Sequence, residues 1–378
     1  MITRRTFLKG LVVGAGIAET ASTIRLPART ARRLAVPKQI KAFCIDFNWA
    51  HRNGTSIFAP PGHWGDASPE EHVRWYEDLG ANVIQTFAVS CNGYAWYKNG
   101  FVPPQPGLKH DFLPDMVRLG HKKGLLVMGY FCVGANSKWG KDHPDLSYGT
   151  PCAPHIPFTD KYLDYLSKSM EDAIGKTGMD GYMIDWVWNP SEEVRKGGWL
   201  SAEQELFTQF TGKPFPKNGY PAAEEELEYR RKAINRCWAR IKESRDRVNP
   251  KCILWLSVNN LAAPSIHDSP MLKQVDWAMN ESPDMKLYRI GQQMKGRQTR
   301  LIQNLVGWAT DNAEEFLSDP KNPTHNLYGF AMPRANSLPL PAAEYLSKPI
   351  DSLAGKGIYS TNDRNIAALA RFYRGLPL

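Results

Sequence analysis

Residues 68–90 read SPEEHVRWYEDLGANVIQTFAVS, and this stretch decides the fold. It opens with three helix-start signals together: Ser68 as the cap, Pro69 at the first helical position, and Glu71 three residues after the cap. A serine oxygen accepts from an amide that would otherwise lack a partner, and proline brings no amide of its own. Val73, Tyr76 and Leu79 recur at helical spacing as an inner stripe, and Gly80 ends the helix. A strand follows at 82–89. Helix, glycine and strand in this order form one repeat of an alternating α/β chain.

The alternation continues on both sides. A first strand is expected at 40–49, a second helix at 113–123 closed by Gly124, and a third strand at 125–133. The third strand is a near-continuous apolar run, as suits a parallel strand buried on both faces. A third helix at 158–177 places Tyr162, Leu163, Leu166, Met170, Ala173 and Ile174 on one face. The fourth strand is expected at 181–188. An insertion at 189–223 surrounds a short helix near 202–210, and a long helix follows at 224–248. Strands five to eight are expected at 252–258, 275–279, 301–308 and 328–333, with a closing helix at 365–374. Eight strands with interleaved helices predict the α/β class and a (β/α)8 or TIM barrel, as a single catalytic domain over 37–378. The competing fold is a doubly wound open sheet. No Gly-x-Gly-x-x-Gly follows the first strand, so the dinucleotide-binding form of that sheet is unsupported.

At 378 residues the chain suits one barrel with insertions, which takes roughly 250 residues and upward. Its 42% hydrophobic and 22% charged residues argue against long-range disorder. The formal net charge is +9, but much of it sits at the start. Arg4, Arg5, Lys9, Arg25, Arg29, Arg32 and Arg33 face only Glu19 within residues 1–33. A nucleic-acid binder would carry such charge on its folded body, so no nucleic-acid partner is expected. Thr3-Arg4-Arg5-Thr6-Phe7-Leu8-Lys9 resembles a twin-arginine export signal, and the apolar run from Leu11 to Ala18 suits its core. Residues 1–36 are therefore expected to be a signal peptide with a basic linker, on a bacterial protein exported folded to the periplasm or beyond. No run approaches the ~18 apolar residues of a membrane span, so no membrane association is expected after signal removal. The six cysteines show no Cys-x-x-Cys spacing, and no metal or other cofactor is expected.

In such a barrel, chemistry sits at the C-terminal strand ends. There the chain offers carboxylates, amides and aromatic rings. Paired histidines and Gly-x-Ser-x-Gly are missing, which disfavours a metal-dependent hydrolase and an esterase. Two carboxylates among aromatic rings are the equipment of glycoside hydrolysis. Asp185 follows the apolar run Tyr182-Met183-Ile184, where a charge is costly unless it has a task. A structural Asp that caps a loop or pairs with an arginine is the plainer alternative. Glu281, after strand six, is the candidate second catalytic carboxylate, against the plainer reading of a surface glutamate. Asp46 is its rival, or a substrate-hydroxyl acceptor. Asn48, Asn92, Tyr94, Trp96, Tyr130, Trp186, Trp188, Asn260 and Trp308 are candidates to bind sugar hydroxyls or stack on sugar rings.

Several blocks in order resemble α-L-fucosidase-like glycoside hydrolases, a group that includes hypothetical glycosyl hydrolases. These blocks are Asp46-Phe47-Asn48, Cys91-Asn92-Gly93-Tyr94-Ala95-Trp96-Tyr97, the segment from Pro106 to Tyr130, and Gly181-Tyr182-Met183-Ile184-Asp185-Trp186. The resemblance implies a retaining mechanism with Asp185 as nucleophile and a carbohydrate substrate. It departs where the fucosidases carry a sugar-binding histidine pair. Here those positions read Cys91 and Asn92, or Ser90 and Cys91. The departure keeps open a second expectation, a carbohydrate-binding barrel without activity. Twin-arginine export keeps open a third, a redox or cofactor protein.

Overall fold

The computed structural model describes residues 34–52, 55–149, 155–282, 284–307, 313–319, 325–334, 336–353 and 362–378. The expected signal peptide, but for its last residues, lies outside them. Residues Val36–Leu378 form one compact unit.

Eight parallel strands close on themselves in chain order: β1 (Lys41–Ile45), β2 (Val83–Val89), β3 (Leu126–Cys132), β4 (Gly181–Asp185), β5 (Ile253–Val258), β6 (Trp277–Asn280), β7 (Arg300–Asn304) and β8 (Asn326–Ala331). The seam runs between β8 and β1, where Lys41 pairs with Leu327 and Ile45 with Ala331. Closure excludes the open doubly wound sheet and fits the (β/α)8 barrel.

The sequence signals act locally as expected. Ser68 Oγ accepts from the Glu71 amide at the head of helix Pro69–Leu79. Gly80 ends that helix at φ 86°, where a Cβ would come within 2.7 Å of the Arg374 side chain. Helices Phe112–Lys122, Asp160–Thr177, Ser201–Thr211, Ala223–Val248 and Asp363–Arg374 fall within a few residues of their expected bounds.

Three strands end three or four residues earlier than their hydrophobic runs suggested, each for a local reason. β1 stops at Ile45 because the Asp46 carboxylate accepts from the Asn48 amide and turns the chain. Trp49–Arg52 then pairs antiparallel with Thr55–Phe58 as a hairpin at the barrel mouth. β4 stops at Asp185 because Trp186 takes φ 57°, which no strand tolerates. β7 stops at Asn304, whose side chain accepts from the Val306 amide, and Gly307 follows at φ 107°.

At the opposite end of β4, Asp180 accepts from the Val127 amide and meets His121 Nε2 at 2.8 Å. It ties helix to strand, far from the strand C-termini. The 189–223 insertion is fastened by a buried hub. Glu203, fully buried, bonds Arg195 Nη2 at 2.5 Å and accepts from the hydroxyls of Tyr148 at 2.6 Å and Tyr229 at 2.9 Å. Arg195 also meets Glu226 at 2.7 Å. Removing one partner of such a hub strands a buried charge. Glu203→Ala should therefore cost about 3–5 kcal/mol in urea unfolding, with protease nicking appearing first within 189–223.

Candidate active site

A cavity of about 700 Å³ opens at the C-terminal ends of the strands. Three carboxyl groups reach it: Asp46 directly after β1, Asp185 as the last residue of β4, and Glu281 directly after β6. Parallel pairing brings these distant positions to one rim. Asp185 sits opposite Cys132 across the ladder, and β5 ends opposite Asn280, the residue before Glu281.

Asp185 is buried, yet both oxygens have donors. Tyr130 donates its hydroxyl to Oδ2 at 2.9 Å, and the Trp186 amide donates to Oδ1 at 2.8 Å. Trp186 itself takes a left-handed backbone, which costs on the order of 1 kcal/mol for a residue with a Cβ. Packing holds it there. Trp186 stacks on Trp188 with centroids 5.3 Å apart, lies 5.8 Å from Phe58, and presses its carbonyl so close to Gly134 that a Cβ there would sit 2.5 Å away. Burial raises the Asp185 carboxyl well above its ordinary range, the charge of Glu281 adds to this, and the two donors oppose it.

Asp46 is also buried, and its carboxyl is pushed up to about 7, mainly by burial and further by Glu281. Glu281 is half-buried and accepts from Ser257 Oγ at 3.1 Å. Its backbone is pinned from behind: Asn304 donates to the Glu281 carbonyl, Gln303 to the Ser282 carbonyl, and Asn280 to Gln303 Oε1. These three amides are fully buried; each donates to a carbonyl of the backbone or of its neighbour, while Asn280 Oδ1 accepts no bond among the described residues.

Of the residues singled out in the sequence, Asp46, Asn48, Tyr130, Asp185, Trp186, Trp188, Asn260 and Glu281 line this cavity. Three others lie elsewhere. Asn92 is buried in the loop after β2, where it donates to the Ala59 carbonyl and exchanges bonds with Gln105. Trp96 is core: it stacks on Phe47 at 5.0 Å and donates to Ser90 Oγ at 2.6 Å. Tyr94 is half-buried on the same loop and does not line the cavity. That loop folds back across the barrel flank, with Ala95 N–H bonded to the Pro103 carbonyl, so its polar and aromatic residues serve the loop itself. Trp308 lies outside the described residues. Cys91, at the departed histidine position, keeps a buried thiol 3.8 Å from the Tyr130 hydroxyl.

Residues the sequence reading passed over also line the floor, among them Gln85 and Tyr328, joined at 2.8 Å. A glutamine inside the apolar run of β2 was the available signal, since a buried amide needs a partner. Among the described residues, no group of three His, Cys, Asp or Glu is placed to hold a metal ion. Nor is any helix among them long and apolar enough to cross a membrane.

Comparison with known proteins agrees with the barrel fold. Residues 68–186 match the family model for "Hypothetical glycosyl hydrolase 6". In structure, the chain resembles alpha-L-fucosidase isoenzyme 2 from Paenibacillus thiaminolyticus, with TM-score 0.61 and 13% identity over 89% of this chain and 49% of that one. The chain thus spans about half the length of that fucosidase. It also resembles the PgaB (BpsB) glycoside hydrolase domain from Bordetella bronchiseptica, with TM-score 0.51 and 13% identity over 77% of this chain and 93% of that one. At these identities the likeness establishes a shared barrel fold. No curated protein matches the sequence.

The raised carboxyls give the protein a pH signature. A folded-state pKa near 7, against an ordinary value of 3.8, means the folded protein holds that proton more tightly than the unfolded chain. The resulting stability is present in full below pH 3.8 and is lost as pH rises through about 7. Asp185 acts in the same direction. Urea-unfolding stability should therefore decline as pH rises from about 5 to about 8, and Asp46→Asn should flatten part of that decline.

Proposed function

We propose that the protein is an exported glycoside hydrolase that cleaves a glycan or polysaccharide with retention at the anomeric carbon. One observation carries this reading: a buried carboxylate with two hydrogen-bond donors faces a second, more exposed carboxyl group in one aromatic-lined cavity at the strand C-termini.

The two environments differ in the way two roles require. Asp185 is the nucleophile. Its donors, Tyr130 and the Trp186 amide, favour the ionised form against the cost of burial. Glu281 is the acid/base. It is half-buried, open to water, and its charge is what most opposes ionisation of Asp185 after burial itself. One proton shared by the pair relieves that repulsion, and a retaining reaction requires it to be on Glu281 when Asp185 attacks.

In the first step Asp185 attacks the anomeric carbon while Glu281 gives its proton to the departing glycosidic oxygen. The glycosidic bond breaks and an ester to Asp185 forms. In the second step Glu281 takes a proton from water, the resulting hydroxyl attacks the same carbon, and the ester bond returns its electrons to Asp185. Trp186 and Trp188 offer ring faces to the sugar, and Asn48 and Asn260 offer amides to its hydroxyls.

Export rests on the Thr3–Lys9 motif and the apolar run behind it. Replacing Arg4 and Arg5 by lysine should leave the precursor in the cytoplasm of an expressing bacterium, as cell fractionation would show.

Asp185→Asn should lower turnover of an activated aryl glycoside by about three orders of magnitude or more, with the far-ultraviolet circular dichroism spectrum unchanged. Proton NMR of the first-formed sugar from the wild-type enzyme should show the anomeric configuration of the substrate. Inversion would overturn the nucleophile assignment. Wild-type turnover that depends on Asp185 would also dispose of a merely carbohydrate-binding barrel.

A further inference from the structure

The cavity holds three carboxyl groups. Among the described residues, no lysine, arginine or histidine lines it. A two-carboxylate mechanism needs one negative charge, on the nucleophile, because the acid carries a proton. Asp46 is surplus to that requirement. It is buried on the cavity wall, and its carboxylate accepts one hydrogen bond among the described residues, from the Asn48 amide to Oδ1. The ionisable group that presses on it most is Glu281, which is also acidic. Around these groups stand the rings of Trp49, Trp186, Trp188 and Phe330, whose faces carry the negative end of a quadrupole and attract cations.

We propose that this cavity selects sugars bearing a protonated amine, with the Asp46 carboxylate as counter-ion to the ammonium group, and rejects sugars bearing carboxylate or sulfate. The proposal deepens the glycoside hydrolase reading and rests on it for the bond that is cleaved. The selection itself is a binding event.

The physical reason is charge balance in a poorly solvated space. Burial and the charge of Glu281 push the Asp46 carboxyl up to about 7, so that a proton there relieves the excess of negative charge. An ammonium group can take over that task and add a charge-assisted hydrogen bond to the unoccupied side of the carboxylate. An N-acetylated or otherwise neutral sugar leaves the excess as it was. An anionic sugar would bring a further negative charge to a wall where no described residue carries a positive one, which electrostatic complementarity disfavours strongly.

Isothermal titration calorimetry on the full chain, with product analysis of the same samples, tests the proposal. The probes are short oligomers of glucosamine and of galactosamine, their N-acetylated counterparts, and glucuronate-containing oligomers. The amino-sugar oligomers should bind about tenfold or more tightly than the N-acetylated ones, and the glucuronate oligomers should not bind measurably. In Asp46→Asn, the affinity ratio of amino to N-acetylated oligomer should fall by about tenfold or more. Equal binding, tighter binding of the N-acetylated oligomers, binding of none of the probes, or a ratio unchanged in Asp46→Asn would each overturn the proposal. The wild-type comparison decides even if the variant misfolds. Amino-sugar preference without any product would keep the charge selection and sink the hydrolase reading. Products from neutral glycans with no amino-sugar preference would do the reverse.

Discussion

The seam between β8 and β1 governs the rest of the molecule. Five residues of β1, Lys41 to Ile45, pair with Leu327 to Ala331, and the Asp46 amide adds a last bond to the Ala331 carbonyl. This register fixes where β1 ends and so where Asp46 turns into the cavity. Side chains alternate along a strand, so a slip of one residue would send inward groups outward. The same ladders, carried around through β4 and β6, bring Asp185 and Glu281 to the rim that Asp46 occupies. A closed sheet allows no independent slip, since each strand is held on both sides.

The site gathers like charge where water is scarce, and the surrounding structure reflects that cost. Tyr130 and the Trp186 amide serve Asp185, Ser257 serves Glu281, and the Asn48 amide serves Asp46. Behind Glu281, Asn280, Gln303 and Asn304 form an amide network with no charge of its own. Uncharged donors steady the carboxylates without neutralising them, and the cavity keeps its negative potential for a ligand. Trp186 belongs to this arrangement: on a left-handed backbone, the same residue gives its amide to Asp185 and lines the cavity.

Away from the rim, the same residue types do structural work. Glu203 and Arg195 are as deeply buried as the site carboxylates, but they are paired, and they anchor the insertion after β4 to the body. Trp96, Phe47 and Phe112 pack as a core cluster. Burial of a charged or aromatic group therefore marks function only where the group lines an open cavity without its full complement of partners.

Much was legible in the sequence by itself because the signals are local. Ser68, Pro69 and Gly80 bound a helix through their own backbone chemistry, and the alternation of apolar runs with amphipathic stretches gave eight strands and the barrel. Asp185 stood out because an acid after an apolar strand is costly anywhere. Only the tertiary structure decided which neighbours share its cavity. Asn92 follows its strand as closely as Asn48 does, yet its loop, with Trp96 further along it, folds back on Gln105 and Ser90, while Gln85 and Tyr328, inside strands far apart in the chain, meet on the cavity floor. The direction in which a side chain points depends on strand register and on the path of the loop. Both are fixed by hydrogen bonds between residues that are remote in sequence.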